Sequence, residues 1–267
     1  MFRIIALLAA LMLPVTAFAQ DENWVDLELV LMVDVSRSMT ENELEIQRVG
    51  YVEALRSDDV LAAIESGYTG RVAITYVEWA GSQHVIVPWR VVETREDLDA
   101  FAAELSVTFN PAFRRTSISE ALYFGARLLE DNEYMGDRRV IDISGDGPNN
   151  QGRFVDMARD WVVAQGIVIN GLPLLTREGM GSQWHLEGLD LYYEACVIGG
   201  LGAFVLPVLD WDDFAEAVKK KMVMEIVIGG MREEGDLLHR AQFGAPNPLD
   251  CQIGEKMWEA RRGYGMP

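Results

Sequence analysis

A chain of 267 residues that is 49% apolar can bury the core of one large domain and carry a tail besides. Its formal net charge of −19 argues against nucleic-acid partners, because that binding rests on Lys and Arg neutralising phosphates; cationic metals and basic surfaces suit it better. The three histidines, His84, His185 and His239, are scattered without metal-ligand spacing, so a zinc site is not supported.

The N-terminus reads as an export signal. Arg3 supplies the positive end, Ile4 to Leu13 is an unbroken apolar run, and Ala17-Phe18-Ala19 places small residues at a peptidase site before Gln20. The run has ten residues, against the roughly 20 that a membrane-spanning helix needs. The expected organisation is a signal peptide over 1–19, a main domain over 20–228 and a C-terminal extension over 229–267. The mature protein would be periplasmic or secreted and would not span the membrane. In such an oxidising compartment Cys196 and Cys251 are a candidate disulfide, tying the extension to the body.

Leu27 to Val35 is an apolar, β-rich run and predicts a buried strand. Thr40-Glu41-Asn42-Glu43 is a capping box that starts a helix reaching about Arg56. Arg71 to Trp79 and Val85 to Val92 are strands joined so briefly, at Gly81-Ser82, that they predict an antiparallel hairpin. Helices follow over Thr94 to Leu105 and over Ser117 to Asn132, the second with its own capping box, Ser117 to Glu120. Arg139 to Ser144 is a strand, Gly145 to Gly152 a loop, Phe154 to Gln165 a helix and Ile167 to Leu175 a strand. Leu189 to Ala195 predicts a short helix, Ala203 to Leu209 the last strand, and Trp211 to Ile226 the last helix. Beyond Gly229 the pattern fades into an irregular tail. Apolar strands alternating with helices predict an α/β fold: a doubly wound, mostly parallel sheet with one antiparallel edge strand and helices on both faces. Ligands of such folds sit at the carboxyl ends of the strands.

Asp34-Val35-Ser36-Arg37-Ser38 leaves the first strand with one carboxylate and two hydroxyls at alternate positions, able to face one point. Oxygen ligands of this kind suit a hard cation such as Mg²⁺. Thr116 stands just before a helix, and Asp146 just after the strand ending at Ser144. Singly, each has a structural reading as a turn or cap residue. Together, all three fall where the fold gathers ligands. Asp142, inside a strand, reads as a salt-bridged core residue in preference to one supporting the metal ligands from behind.

The strings Asp34-Val35-Ser36-Arg37-Ser38, Thr116 with Ile118 and Ala121-Leu122, and Ser144-Gly145-Asp146-Gly147 resemble the metal-ion-dependent adhesion site of von Willebrand factor A domains. More closely, VDLELVLMVDVSRSM, YVEWAG, VIDISGDGPNN, INGLP and CVIGG resemble a bacterial family of exported proteins of unknown function built on that domain. The resemblance implies a divalent metal (Mg²⁺, with Mn²⁺ or Ca²⁺ as alternatives) held by Asp34, Ser36, Ser38, Thr116 and Asp146. It also implies one position left open for an acidic group of a partner protein. Arg114 and Arg115 stand where glycines often precede the Thr, and with Asn149 and Asn150, which also read as turn residues, they are candidates for a partner-binding rim. The function so implied is an adhesion-type binding module, not an enzyme. The alternatives are a metal-dependent hydrolase and a structural envelope protein with an inactive site. Against the hydrolase, Ser36 occupies the place of the second acid of an aspartyl phosphatase, and no G-x-S-x-G elbow exists.

Overall fold

The structure, a computed structural model, describes residues 23–107, 114–176, 186–227 and 249–263. The expected signal peptide lies outside these residues, as do His185, His239 and much of the extension. Strands β1 (Trp24–Asp34), β2 (Val72–Trp79), β3 (Gln83–Val92), β4 (Met135–Gly145) and β5 (Val168–Pro173) form one sheet in the order β3-β2-β1-β4-β5. β1 pairs in parallel with β2 and β4, β4 pairs in parallel with β5, and only the β2–β3 hairpin is antiparallel.

The central strands are continuous apolar runs because both their faces are covered. Along β1, Leu27, Leu29, Leu31 and Val33 enter one core, while Val30 and Met32 enter the other. The first core is closed by α1 (Glu41–Leu55), α2 (Asp58–Glu65), α3 (Arg95–Val107) and α7 (Phe214–Val227). The second is closed by α4 (Ile118–Glu130), α5 (Val155–Val163) and α6 (Leu189–Tyr192), which runs on into a π-helical turn, Tyr193–Val197.

The α1 capping box forms as expected: Glu43 N–H donates to Thr40 Oγ1 (3.3 Å) and Thr40 N–H to Glu43 Oε2 (2.6 Å). The one expected at α4 does not. Ser117 Oγ donates instead to the Gln151 carbonyl at 2.8 Å, and Glu120 pairs with Arg153 at 2.6 Å. Both side chains are drawn to residues 151–153, beyond β4, rather than to their own helix end. The strand expected over Ala203 to Leu209 is reduced to two parallel bridges beside β5, Gly171 to Val205 and Leu174 to Val208. Leu206 and Val208 donate to Gly171 and Pro173, but Pro173 has no N–H to return, so the ladder lacks a rung there.

Two helices depart from the sequence reading. α2 is capped by Ser57, whose Oγ accepts from Val60 N–H. The extension, expected to be irregular, contains α8 (Ile253–Gly263). Cys196, in the π-helical turn, is bridged to Cys251, which directly precedes α8. Replacing both cysteines by Ser should lower the unfolding free energy by about 4 kcal/mol, from the loop-closure entropy of a 55-residue separation. Urea titrations of the oxidised protein and the variant measure this difference. Equal midpoints would show that the bridge contributes nothing to folding.

Candidate metal centre

β1 and β4 are parallel neighbours, in register with Val33 beside Ser144. The chain therefore leaves both strands at the same edge, with Asp34 ending β1 and Asp146 directly after β4. From β1 the sheet grows one way through β2 and from β4 the other way through β5, so the two acids stand at the switch in strand order, where α/β sheets open a crevice.

Four of the five expected ligands form one hydrogen-bonded chain. Ser36 N–H donates to Asp34 Oδ1 at 2.7 Å, the Ser36 and Ser38 hydroxyls lie 2.9 Å apart, and Ser38 Oγ donates to Asp146 Oδ1 at 2.8 Å. Thr116 joins them through the backbone. Its N–H donates to Asn150 Oδ1 (3.1 Å) and its carbonyl accepts from Asn150 N–H (2.9 Å), which fastens the Thr116 loop to the Asp146 loop. Ser36, Ser38, Thr116 and Asp146 line one cleft of about 640 Å³, while Asp34 is wholly buried beside them.

The electrostatics of this cluster are unfavourable as they stand. Burial pushes the Asp34 carboxyl well above its usual range, and the neighbouring charge of Asp146 pushes it further. Asp146 is raised to about 6, again mainly by burial, with the Ser38 hydroxyl opposing the rise. Asp34 Oδ2 is buried with no hydrogen-bond partner. A fixed carboxylate oxygen without a donor, beside a second acid and two hydroxyls, matches the needs of a hard cation that takes oxygen ligands. Among the described residues no group of three His, Cys, Asp or Glu gathers as a metal-holding cluster would.

The rim differs in part from expectation. Arg114 is exposed and Arg115 half-buried, and both line the cleft. Arg115 has φ 78°, the only positive φ of a non-glycine residue among those described. Glycine adopts that conformation freely whereas an L side chain is strained by it, so the Arg at this place costs on the order of 1–3 kcal/mol. Its guanidinium lies 3.6 Å from the centroid of the Trp258 ring. Asn149 is not on the rim. It is fully buried, accepts from Ser119 N–H (3.0 Å) and donates to Glu255 Oε1 (2.7 Å), while Asn150 lines the cleft in its place.

The sequence reading also missed the residues around the acids. Gln47 Nε2 donates to the Asp34 carbonyl at 2.9 Å, and Glu43 adds negative charge near Asp146. Gly145 is required by its surroundings: a Cβ there would stand 2.7 Å from Tyr193 Oη and 2.9 Å from Asp34 Oδ2. Gly254, Met257 and Trp258 of α8 line the cleft. No sequence spacing links these positions to Asp34; only the folded chain does.

A family described as "Protein of unknown function (DUF1194)" matches residues 24–229. The chain belongs to this family. Among solved structures, this DUF1194 protein is similar to the pilus adhesin SpaC of Lactobacillus rhamnosus GG, with a TM-score of 0.55 and 14% identity over 76% of this chain and 30% of the adhesin. Proximal thread matrix protein 1 of the mussel byssus gives 0.53 and 13%, over 76% of this chain and 48% of that protein. The SpRpn10 VWA domain gives 0.53 and 10%, over 75% of this chain and 98% of that domain. The DUF1194 chain thus spans about half of the mussel protein and under a third of the adhesin. Identities this low show the fold alone, and that fold is the von Willebrand factor A type. No curated protein matches.

Proposed function

We propose that this DUF1194 protein is an exported, metal-dependent protein-binding module. Asp34, Ser36, Ser38, Thr116 and Asp146 would hold a divalent cation, Mg²⁺ before Mn²⁺ or Ca²⁺, directly or through water. The observation that carries this reading is Asp34 Oδ2, a buried carboxylate oxygen with no donor beside a second acid, Asp146, that lines the cleft. A bound cation would supply positive charge and a coordination position for an oxygen of an acidic side chain. The protein's own residues do the rest. The hydroxyls of Ser36 and Ser38 add oxygen ligands without adding negative charge, so the site retains attraction for a further carboxylate. The two hydroxyls hydrogen-bond to each other, and Ser38 Oγ donates to Asp146 Oδ1, which holds these oxygens together as a ligand set would need. Arg114 and Arg115 give the cleft local positive charge within an acidic protein. The likeness in fold to a pilus adhesin agrees with an interaction role. Export rests on the signal sequence and agrees with the Cys196–Cys251 bridge. No helix among the described residues is long and apolar enough to cross a membrane.

The test is a calorimetric titration of Mg²⁺ into the mature protein and into Asp34→Ala. One saturable site in the first and none in the second is the expected result. Equal binding by both, or binding by neither, defeats the assignment. Recovery of a partner from the native envelope fraction in Mg²⁺, lost in EDTA and lost with Asp34→Ala, would then identify what the site holds.

A further inference from the structure

α8 lies beyond the 24–229 span that carries the family match, yet it forms part of the cleft. Three features seat it there. The Cys196–Cys251 bridge clamps the chain directly before its first turn. Glu255 accepts from Asn149 Nδ2 at 2.7 Å, on the same loop that carries Asp146. Gly254 meets that loop backbone to backbone: a Cβ on it would stand 2.0 Å from the Asn149 carbonyl oxygen, so no other residue fits without moving the helix. So fixed, α8 gives the cleft two large side chains, Met257 and Trp258, both half-buried.

The cleft therefore combines three chemistries: the oxygen cluster, the arginines, and an apolar wall to which α8 contributes the two large side chains. Arg37 and Arg114 are exposed, and among the described residues neither has an acidic partner, although the chain's net charge is −19. Arginines left unpaired in so acidic a protein favour a ligand that brings its own negative charge. A bare acid would leave Met257 and Trp258 uncovered. The cleft volume of about 640 Å³ falls within the roughly 300–1,000 Å³ typical of sites that enclose a ligand, ample for an acidic side chain together with a neighbour.

Resting on the metal-site reading above, we propose that α8 is a specificity wall: the DUF1194 cleft takes an acidic peptide segment in which Asp or Glu stands next to an apolar residue. The acid is read by the oxygen cluster and the arginines, and the apolar side chain packs on Met257 and Trp258. Flexible Met and flat Trp suit this task, because they bury apolar area against partners of varied shape.

The test uses the mature, oxidised protein and a random heptapeptide library displayed on phage, selected in Mg²⁺ and in EDTA. The wild type should enrich, in Mg²⁺ only, peptides with Asp or Glu adjacent to an apolar residue. Met257→Ser and Trp258→Ser should retain Mg²⁺ binding by calorimetry and retain the acid, but lose the preference for its apolar neighbour. Trp258→Ser also strips the ring from Arg115, so Met257→Glu serves as a variant that leaves Trp258 in place. It should select against the apolar neighbour and weaken recovery of acidic peptides. Identical enrichment by wild type and variants overturns the inference. So does a wild type that binds Mg²⁺ yet enriches acids without apolar neighbours, or enriches nothing, and either result leaves the metal site standing. A wild type that binds no Mg²⁺ defeats the metal site itself, and the inference with it.

Discussion

Asp34→Asn is expected to melt above the wild type when both are stripped of metal, and below it when both are saturated with Mg²⁺. The substitution keeps the side-chain shape, and the oxygen that accepts from Ser36 N–H at 2.7 Å can remain in place. It removes the charge that burial and Asp146 disfavour, and replaces an oxygen lacking a donor by an amide group. Relief of an uncompensated buried charge should stabilise the metal-free fold by roughly 1–3 kcal/mol. At roughly 2–4 °C per kcal/mol for a domain of this size, the shift is easily measured by scanning calorimetry. With Mg²⁺ at a hundredfold excess over its dissociation constant, the wild type gains about 2.7 kcal/mol by mass action, and the variant should gain none. The crossing of the two orders is the signature. A variant less stable than the wild type in EDTA would mean that the carboxylate is a structural acceptor. A variant stabilised by Mg²⁺ as strongly as the wild type would place the ion elsewhere.

The parts of this site that were legible in the sequence are those fixed by strand ends. Asp34 and Asp146 each leave a strongly apolar strand, and parallel neighbouring strands deliver their ends to one edge, so periodicity alone could bring the two acids together. The hairpin of β2 and β3 was legible from the brevity of its turn. Asn149 was misjudged because an Asn in a glycine-rich loop reads the same whether it faces water or caps a neighbouring helix, and here its oxygen accepts from Ser119 N–H in α4. The Ser117 box failed for a related reason: Gln151 and Arg153, some thirty residues away, compete successfully for Ser117 and Glu120. α2 was overlooked because it is only eight residues long, although Val60, Ala63 and Ile64 carry helical spacing. α8 was overlooked because its charged sequence resembles a solvated tail. Its apolar residues are few: Ile253 packs against the second core, and Met257 and Trp258 line the cleft.

Lys221→Met should be among the most destabilising single changes in the protein, and its cost should depend on pH. Lys221 lies on α7, is 1% exposed, and stands 2.6 Å from Asp142 of β4 and 2.6 Å from Glu225 of its own helix. Glu225 also accepts from Asn170 Nδ2 at 2.7 Å, and Asn170 Oδ1 accepts from Phe204 N–H. The lysine thus sits at the centre of a buried network joining β4, β5, α7 and the stretch beside β5. Breaking a buried ion pair by removing one partner costs about 3–5 kcal/mol, because the other charge is left uncompensated. Two acids are left here. Burial raises Asp142 to about 6 even with Lys221 opposing the rise, so loss of the cation drives it higher still. A carboxyl raised in the folded state contributes stability that is complete below its unfolded value, about 4, and is lost as pH climbs through the folded value. Burial lowers the lysine, but Asp142 and Glu225 beside it outweigh this and raise it above its ordinary value, so its contribution persists through neutrality and is lost only at strongly alkaline pH. The variant should therefore lose most relative to the wild type near pH 8 and clearly less near pH 5, where Asp142 can take up a proton. Guanidinium titrations at the two pH values measure this. An equal loss at both would assign the effect to packing of the lysine stem rather than to its charge. Replacing Lys221, Asp142 and Glu225 together by Met, Leu and Gln should recover much of the single variant's loss, because no ionised group then remains buried.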